Sequence, residues 1–170
     1  MLCMKLLESE YDHPQHLPVA KAYANNTLDD QRFTSGNAIM IDEEEWAIPP
    51  DAAGLVTFTI HLKQEGRVVS LSLIQGGQGR IFTKMRVQSK QGGQELTIPP
   101  KDDGGCLHHL WLQHPIQGQE FDLIFDADSV SGISGSAGLM YVALAGYVSE
   151  PAGGDELQGS KHSKKRKGKK

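Results

Sequence analysis

Between residues 55 and 147 apolar and polar residues alternate in short runs, the period of side chains that point in turn to a core and to solvent. Three runs, Leu55 to Leu62, Arg67 to Ile74 and Arg80 to Val87, follow the segment Ile48-Pro49-Pro50-Asp51-Ala52-Ala53-Gly54. A second set, Cys106 to Leu112, Gln119 to Phe125 and Leu139 to Tyr147, follows its near copy Ile98-Pro99-Pro100-Lys101-Asp102-Asp103-Gly104-Gly105. In both, an apolar residue leads into Pro-Pro and a polar turn closes on Gly, so the chain reads as a duplicated supersecondary unit. Adding the runs before each Pro-Pro, Ala38 to Ile48 and Glu95 to Ile98, gives four strands per copy and eight in all, with breaks at Gly66 and Gly118 inside the copies. Eight short strands without intervening helices predict an all-β protein, an eight-stranded antiparallel β-sandwich or jelly roll.

Outside that core the pattern fades. Residues 1–35 read as an irregular segment in which Val19 to Ala24 forms a short helical turn, 36–148 as the sandwich, and 149–170 as a disordered linker and lysine-rich tail. The 170 residues suffice for one domain with a proper core. The two cysteines, Cys3 and Cys106, are expected to be reduced thiols rather than a disulfide framework. No secretory leader is expected, because Glu8, Glu10 and Asp12 cut off the first apolar residues, and no apolar run is long enough to cross a membrane.

Charge changes the picture more than composition does. The net charge of −4 conceals seven basic residues within the last ten, which leaves ten basic against 21 acidic over residues 1–160, a balance of −11. Lys161, Lys164, Lys165, Arg166, Lys167, Lys169 and Lys170 have the density of a nuclear-localisation signal for an import receptor. The same residues suit non-specific contact with nucleic acid, and without aromatic residues among them they offer no sequence-specific reading. Asp42, Glu43, Glu44 and Glu45 beside Trp46 form an acidic patch suited to a basic protein partner, or a solvated turn.

Candidate chemistry is sparse. Cys106, His108, His109 and His114 are the densest group of possible metal ligands, but strand alternation splits them between two faces and no second Cys/His pair completes a zinc set, so no metal is assigned. The stretch Asp126 to Gly132 fails as an EF-hand at Val130, Ser131 and Ala137, while another calcium geometry stays open. Gly132-Ile133-Ser134-Gly135-Ser136 misses the nucleophile elbow, and Gly76 to Gly79 lacks the Lys and helix of a phosphate loop. No catalytic residue, cofactor or enzyme activity is expected.

The strand Tyr141-Val142-Ala143-Leu144-Ala145-Gly146-Tyr147, followed by an acidic linker and a basic signal, resembles the close of nucleoplasmin-like domains. That resemblance implies an eight-stranded jelly roll, a pentameric assembly and a histone chaperone. The resulting expectation is a non-enzymatic nuclear interaction module that self-associates, binds basic proteins such as histones through its acidic body, and is carried by an import receptor through its tail. In a bacterial source its place would be the cytoplasm. Two alternatives come from other classes. One is a carbohydrate-binding sandwich with Trp46 or Trp111 as a stacking platform and Asp126 and Asp128 as a calcium or hydroxyl site. The other is a viral or phage structural protein.

Overall fold

The computed structural model describes residues 13–25, 35–39, 46–49, 52–77, 80–99, 107–132 and 135–149. Among them are ten strands and a single 3₁₀ turn, Asn37–Ile39, with no α-helix. The strands are β1 (Gln15–His16), β2 (Val19–Ala24), β3 (Trp46–Ile48), β4 (Leu55–Gly77), β5 (Ile81–Phe82), β6 (Lys84–Ser89), β7 (Gly92–Thr97), β8 (Leu107–Asp126), β9 (Val130–Ser131) and β10 (Ala137–Val148). All strand pairings are antiparallel, in an eight-stranded sheet that does not close and a small β5–β9 ribbon. The all-β antiparallel class legible in the alternation is therefore the class observed.

Two strands differ from the sequence reading. β4 runs unbroken for 23 residues and β8 for 20, so each joins two runs that the pattern separates at Gly66 and Gly118. The polar stretches Lys63-Gln64-Glu65-Gly66 and Gln113-His114-Pro115 carry turn residues but mark a bend, not a reversal. Gly66 pairs with Gly118 across the ladder, and register shifts lie on both sides of that pair, between His61 and Gly66 and between Val68 and Ser70. A Cβ on Gly66 would come within 3.0 Å of Leu17 Cδ1, and one on Gly118 within 3.0 Å of Ser89 Cβ, so both positions need the room. The shift also exchanges the buried parity of β4. Val56, Phe58, Ile60 and Leu62 face the core before it, and Leu71, Leu73 and Gln75 after it.

The bend makes the sandwich. The first half of β4 and the second half of β8 form one layer with β2 and β6, and β7 extends it beyond β6. The second half of β4 and the first half of β8 form the other layer with β10, which β1 and β3 flank. One continuous apolar cluster lies between them, centred on Trp46, Phe58, Phe82 and Phe125, with ring centroids 4.7 to 5.7 Å apart. Gln75, 2% exposed, stitches its edge: its amide nitrogen donates to the Phe82 carbonyl at 3.0 Å and its oxygen accepts the Phe82 N–H at 2.6 Å.

The duplication has a topological counterpart. β6, which follows β4, pairs with β8, while β10, which follows β8, pairs with β4. β3 precedes β4 and lies on β10, β7 precedes β8 and lies on β6, and β5 pairs with β9. Exchanging the halves reproduces every one of these pairings. Ile48 and Ile98, ahead of the two Pro-Pro turns, are both buried. β1 and β2 stand outside the repeat: residues 13–24, expected to be irregular with a helical turn, add strands to β10 and β4 instead.

Candidate functional site

The outer face of the second layer carries the exposed aromatic surface. Leu71, Leu73, Val142 and Leu144 point to the core, so their neighbours along the strands point to the opposite face of the layer. Register places those outward residues in rows. One row crosses four strands as His16, Ala145, Ser70 and Trp111; the next holds Ala143, Ser72 and His109; a third holds Tyr141, Ile74 and Leu107. The first row spans three interstrand spacings, about 14 Å. Its floor is made of small buried residues, Ser70, Ser72, Ala143 and Ala145, and its rim of large exposed ones, Trp111 at 60% and Leu107 at 57%.

The rim is fixed by polar contacts on the floor. Ser72 Oγ lies 2.9 Å from His109 Nδ1, and the His109 ring meets the Trp111 indole edge-on at 5.2 Å between centroids. An indole that is exposed yet braced keeps its face open without the rotamer freedom that binding would otherwise remove. Ser70 Oγ, across the ladder from Trp111, is buried and has no hydrogen-bond partner among the described residues. Neither of the first two rows holds a carboxylate, a lysine or an arginine. Such a surface suits a ligand with an apolar face and scattered hydroxyls.

The sequence candidates distribute unevenly about this face. Trp111 is on it. Trp46, the other platform candidate, is fully buried against Phe58 and Phe125 and is a core residue. The Asp126 and Asp128 carboxylates are bound to the backbone of their own end of the sandwich: Asp126 Oδ1 accepts the Asp128 N–H at 3.0 Å and Asp128 Oδ2 the Gly54 N–H at 3.3 Å. Of the Cys/His group, His108 is buried on the core side and His109 lies outward, as alternation requires, while Cys106 is outside the described residues. Among the described residues no three His, Cys, Asp or Glu side chains come together as metal ligands. The acidic residues Asp42, Glu43, Glu44 and Glu45 and the basic Lys161, Lys164, Lys165, Arg166, Lys167, Lys169 and Lys170 lie outside the described residues. What the sequence reading missed is the role of Ser72 and His109. Their signal was present in the strand alternation, but their pairing required the register of β4 against β8.

No family model matches the chain, and no curated protein does. Solved structures do. The chain is similar to the family 32 carbohydrate-binding module of C. perfringens NanJ in complex with galactose, with a TM-score of 0.58 and 15% identity over 78% of this chain and 99% of that one. A second Clostridium perfringens family 32 module, in complex with GalNAc-β-1,3-galactose, gives 0.59 and 17% over 76% and 99%. A chitosan-binding module from a chitosanase/glucanase of Paenibacillus sp. IK-5 gives 0.57 and 13% over 79% and 100%. At these identities the likeness establishes the fold. It corrects the nucleoplasmin-like resemblance, which rested on the short pattern of β10 and on the order of core, acidic linker and basic tail, neither of which specifies how the strands pair. The pentameric chaperone, the histone and other basic-protein partners, and the import receptor were implied by that resemblance and the charge pattern, and they fall with it.

Proposed function

We propose that the chain is a non-catalytic carbohydrate-binding module whose binding surface is the outer face of the second layer, with Trp111 as the platform. The observation that carries the reading is the braced, exposed indole of Trp111 beside a floor of serines, on a sandwich whose structural likes bind galactose, GalNAc-β-1,3-galactose and chitosan. The apolar face of a pyranose stacks on the indole, as apolar surface does wherever water is excluded on both sides. His109 and Tyr141 at the rim, and Ser72 on the floor, supply hydroxyl-sized hydrogen-bonding partners. Neutral hexose glycans fit the uncharged rows best. Ser72 and His109 bring a hydroxyl to an imidazole on this face, but Ser72 is buried and no carboxylate stands in their rows to orient the ring, so retention of a glycan rather than its cleavage is the role proposed.

A glycan array followed by calorimetry on the best ligand tests this. Binding of a neutral glycan that Trp111→Ala weakens supports the reading. Failure to bind any glycan, or binding indifferent to Trp111→Ala, overturns it.

A further inference from the structure

The two outer faces of the sandwich differ in chemistry, and the first layer holds a cleft that the Trp111 reading does not use. It opens where β4 and β8 bend, against the turn between β6 and β7, has a volume of about 240 Å³, and is lined by His61, Glu65, Lys90, Gln91, Gln119 and Glu120. His61 and Glu120 pair across the ladder and alternate with the core residues Ile60 and Phe121, which places the cleft on the face opposite Trp111.

Its hydrogen bonds leave a one-sided surface. Glu65 Oε1 accepts from the amide nitrogens of Gln91 at 3.2 Å and Gln117 at 2.9 Å, and the Gln119 amide nitrogen donates to the Leu62 carbonyl at 3.3 Å. Carboxylates and carbonyls only accept, so these contacts fix which end of each amide is which and turn the Gln91 and Gln119 oxygens the other way. Glu120 Oε2 is 3.0 Å from His61 Nε2, which in turn is 3.4 Å from the Tyr23 hydroxyl. The lining is therefore rich in oxygen acceptors and holds two part-buried carboxylates. Lys90, and Lys21 near the Tyr23 ring, are exposed, where solvent screens them more than it does the carboxylates. At the edge the half-exposed Tyr23 ring, tilted on His61 at 5.6 Å, offers a small apolar face.

From this we infer that the cleft is a second glycan site, specific for a sugar bearing a primary ammonium, that is, a hexosamine unit whose nitrogen is not acylated. An ammonium brings three donors and a positive charge to a surface that offers acceptors and negative charge, whereas an acylated nitrogen brings one donor, no charge and added bulk. Tyr23 takes the carbon face of the same ring. The inference rests on the carbohydrate-binding reading and adds to it a site with its own ligand class, so that the module is two-faced.

The test is calorimetry on the full chain with a glucosamine oligomer, its fully N-acetylated counterpart and spermidine, using wild type, Glu65→Gln, Glu120→Gln and Trp111→Ala. The glucosamine oligomer should bind about tenfold or more tightly than the acetylated one, and each Gln variant should lose about that factor for it alone. Trp111→Ala should leave glucosamine binding unchanged while weakening the neutral glycan, and the Gln variants should do the reverse. Equal affinity for the acetylated oligomer, Gln variants that bind like wild type, or spermidine bound as tightly as the sugar would each overturn the inference. If only the Trp111-dependent neutral glycan binds, the second site falls and the proposed function stands; if no glycan binds at all, both fall.

Discussion

Replacing Trp111 with Ala separates binding from folding, because the side chain stands outside the core. A Trp offers at most about 250 Å² of surface, and at 60% exposure roughly 150 Å² of it is open. A pyranose laid on one face covers about half of that, ~75 Å², worth ~1.9 kcal/mol at ~25 cal/mol per Å². The expected loss is about twentyfold in Kd. Since Trp111 stands outside the core with most of its surface open, folding stability should fall by less than about 1 kcal/mol. Trp111→Phe should recover part of the affinity in proportion to the ring area restored. Calorimetry against the best array ligand gives Kd, and denaturant unfolding of the same samples gives stability. Unchanged Kd for Trp111→Ala at unchanged stability would refute the stacking argument, because the other exposed ring of that row, His16, stands at its far end, about 14 Å away.

Substitutions at three buried positions probe the frame. A Cβ at Gly146 would sit 2.0 Å from the Arg67 carbonyl oxygen, a backbone atom that cannot yield, so Gly146→Ala should cost about 3 kcal/mol or more by urea denaturation. Gln75→Leu strips both partners from the buried Phe82 peptide and should cost about 2–4 kcal/mol, whereas an exposed Gln such as Gln113 changed to Leu should cost under about 0.5. Trp46 Nε1 is buried without a partner among the described residues, so Trp46→Phe should cost no more than about 1.5 kcal/mol while Trp46→Ala costs about 3–5, both read from thermal unfolding.

The sheet class and the duplication were legible in the sequence because they depend on local period and spelling, whereas the choice between Trp46 and Trp111 as an exposed ring was not. Nor were the crossing strands. Lys63-Gln64-Glu65-Gly66 has the composition of a hairpin turn, and only the facing glycine at position 118, distant in sequence, turns it into a bend that both strands share. Trp46 and Trp111 likewise sit in similar apolar surroundings. Trp46 is buried because β3 lies at the edge of β10 with its side chain over Phe58 and Phe125. Trp111 is exposed because the first half of β8 has its outward side uncovered. Neither fact is a property of the residues beside them. β1 and β2 escaped notice because Val19 to Ala24 has a strand's length but a surface residue's polarity, with Lys21 and Tyr23 outward.

The long pairing of β4 with β8 also governs how the chain acquires its structure. Leu55 meets its partner only at Asp126, and β10, which completes the second layer on β4, comes later still. Neither layer is complete until the two halves of the chain have met, so a ribosome that has released only the first copy holds a β4 whose single available partner is β2, along Phe58 to Leu62. Contacts this distant in sequence place the protein among slow, milliseconds-to-seconds folders and make the nascent first half, with Leu71 and Leu73 lacking both of their strand partners, the stretch that a chaperone would have to shield.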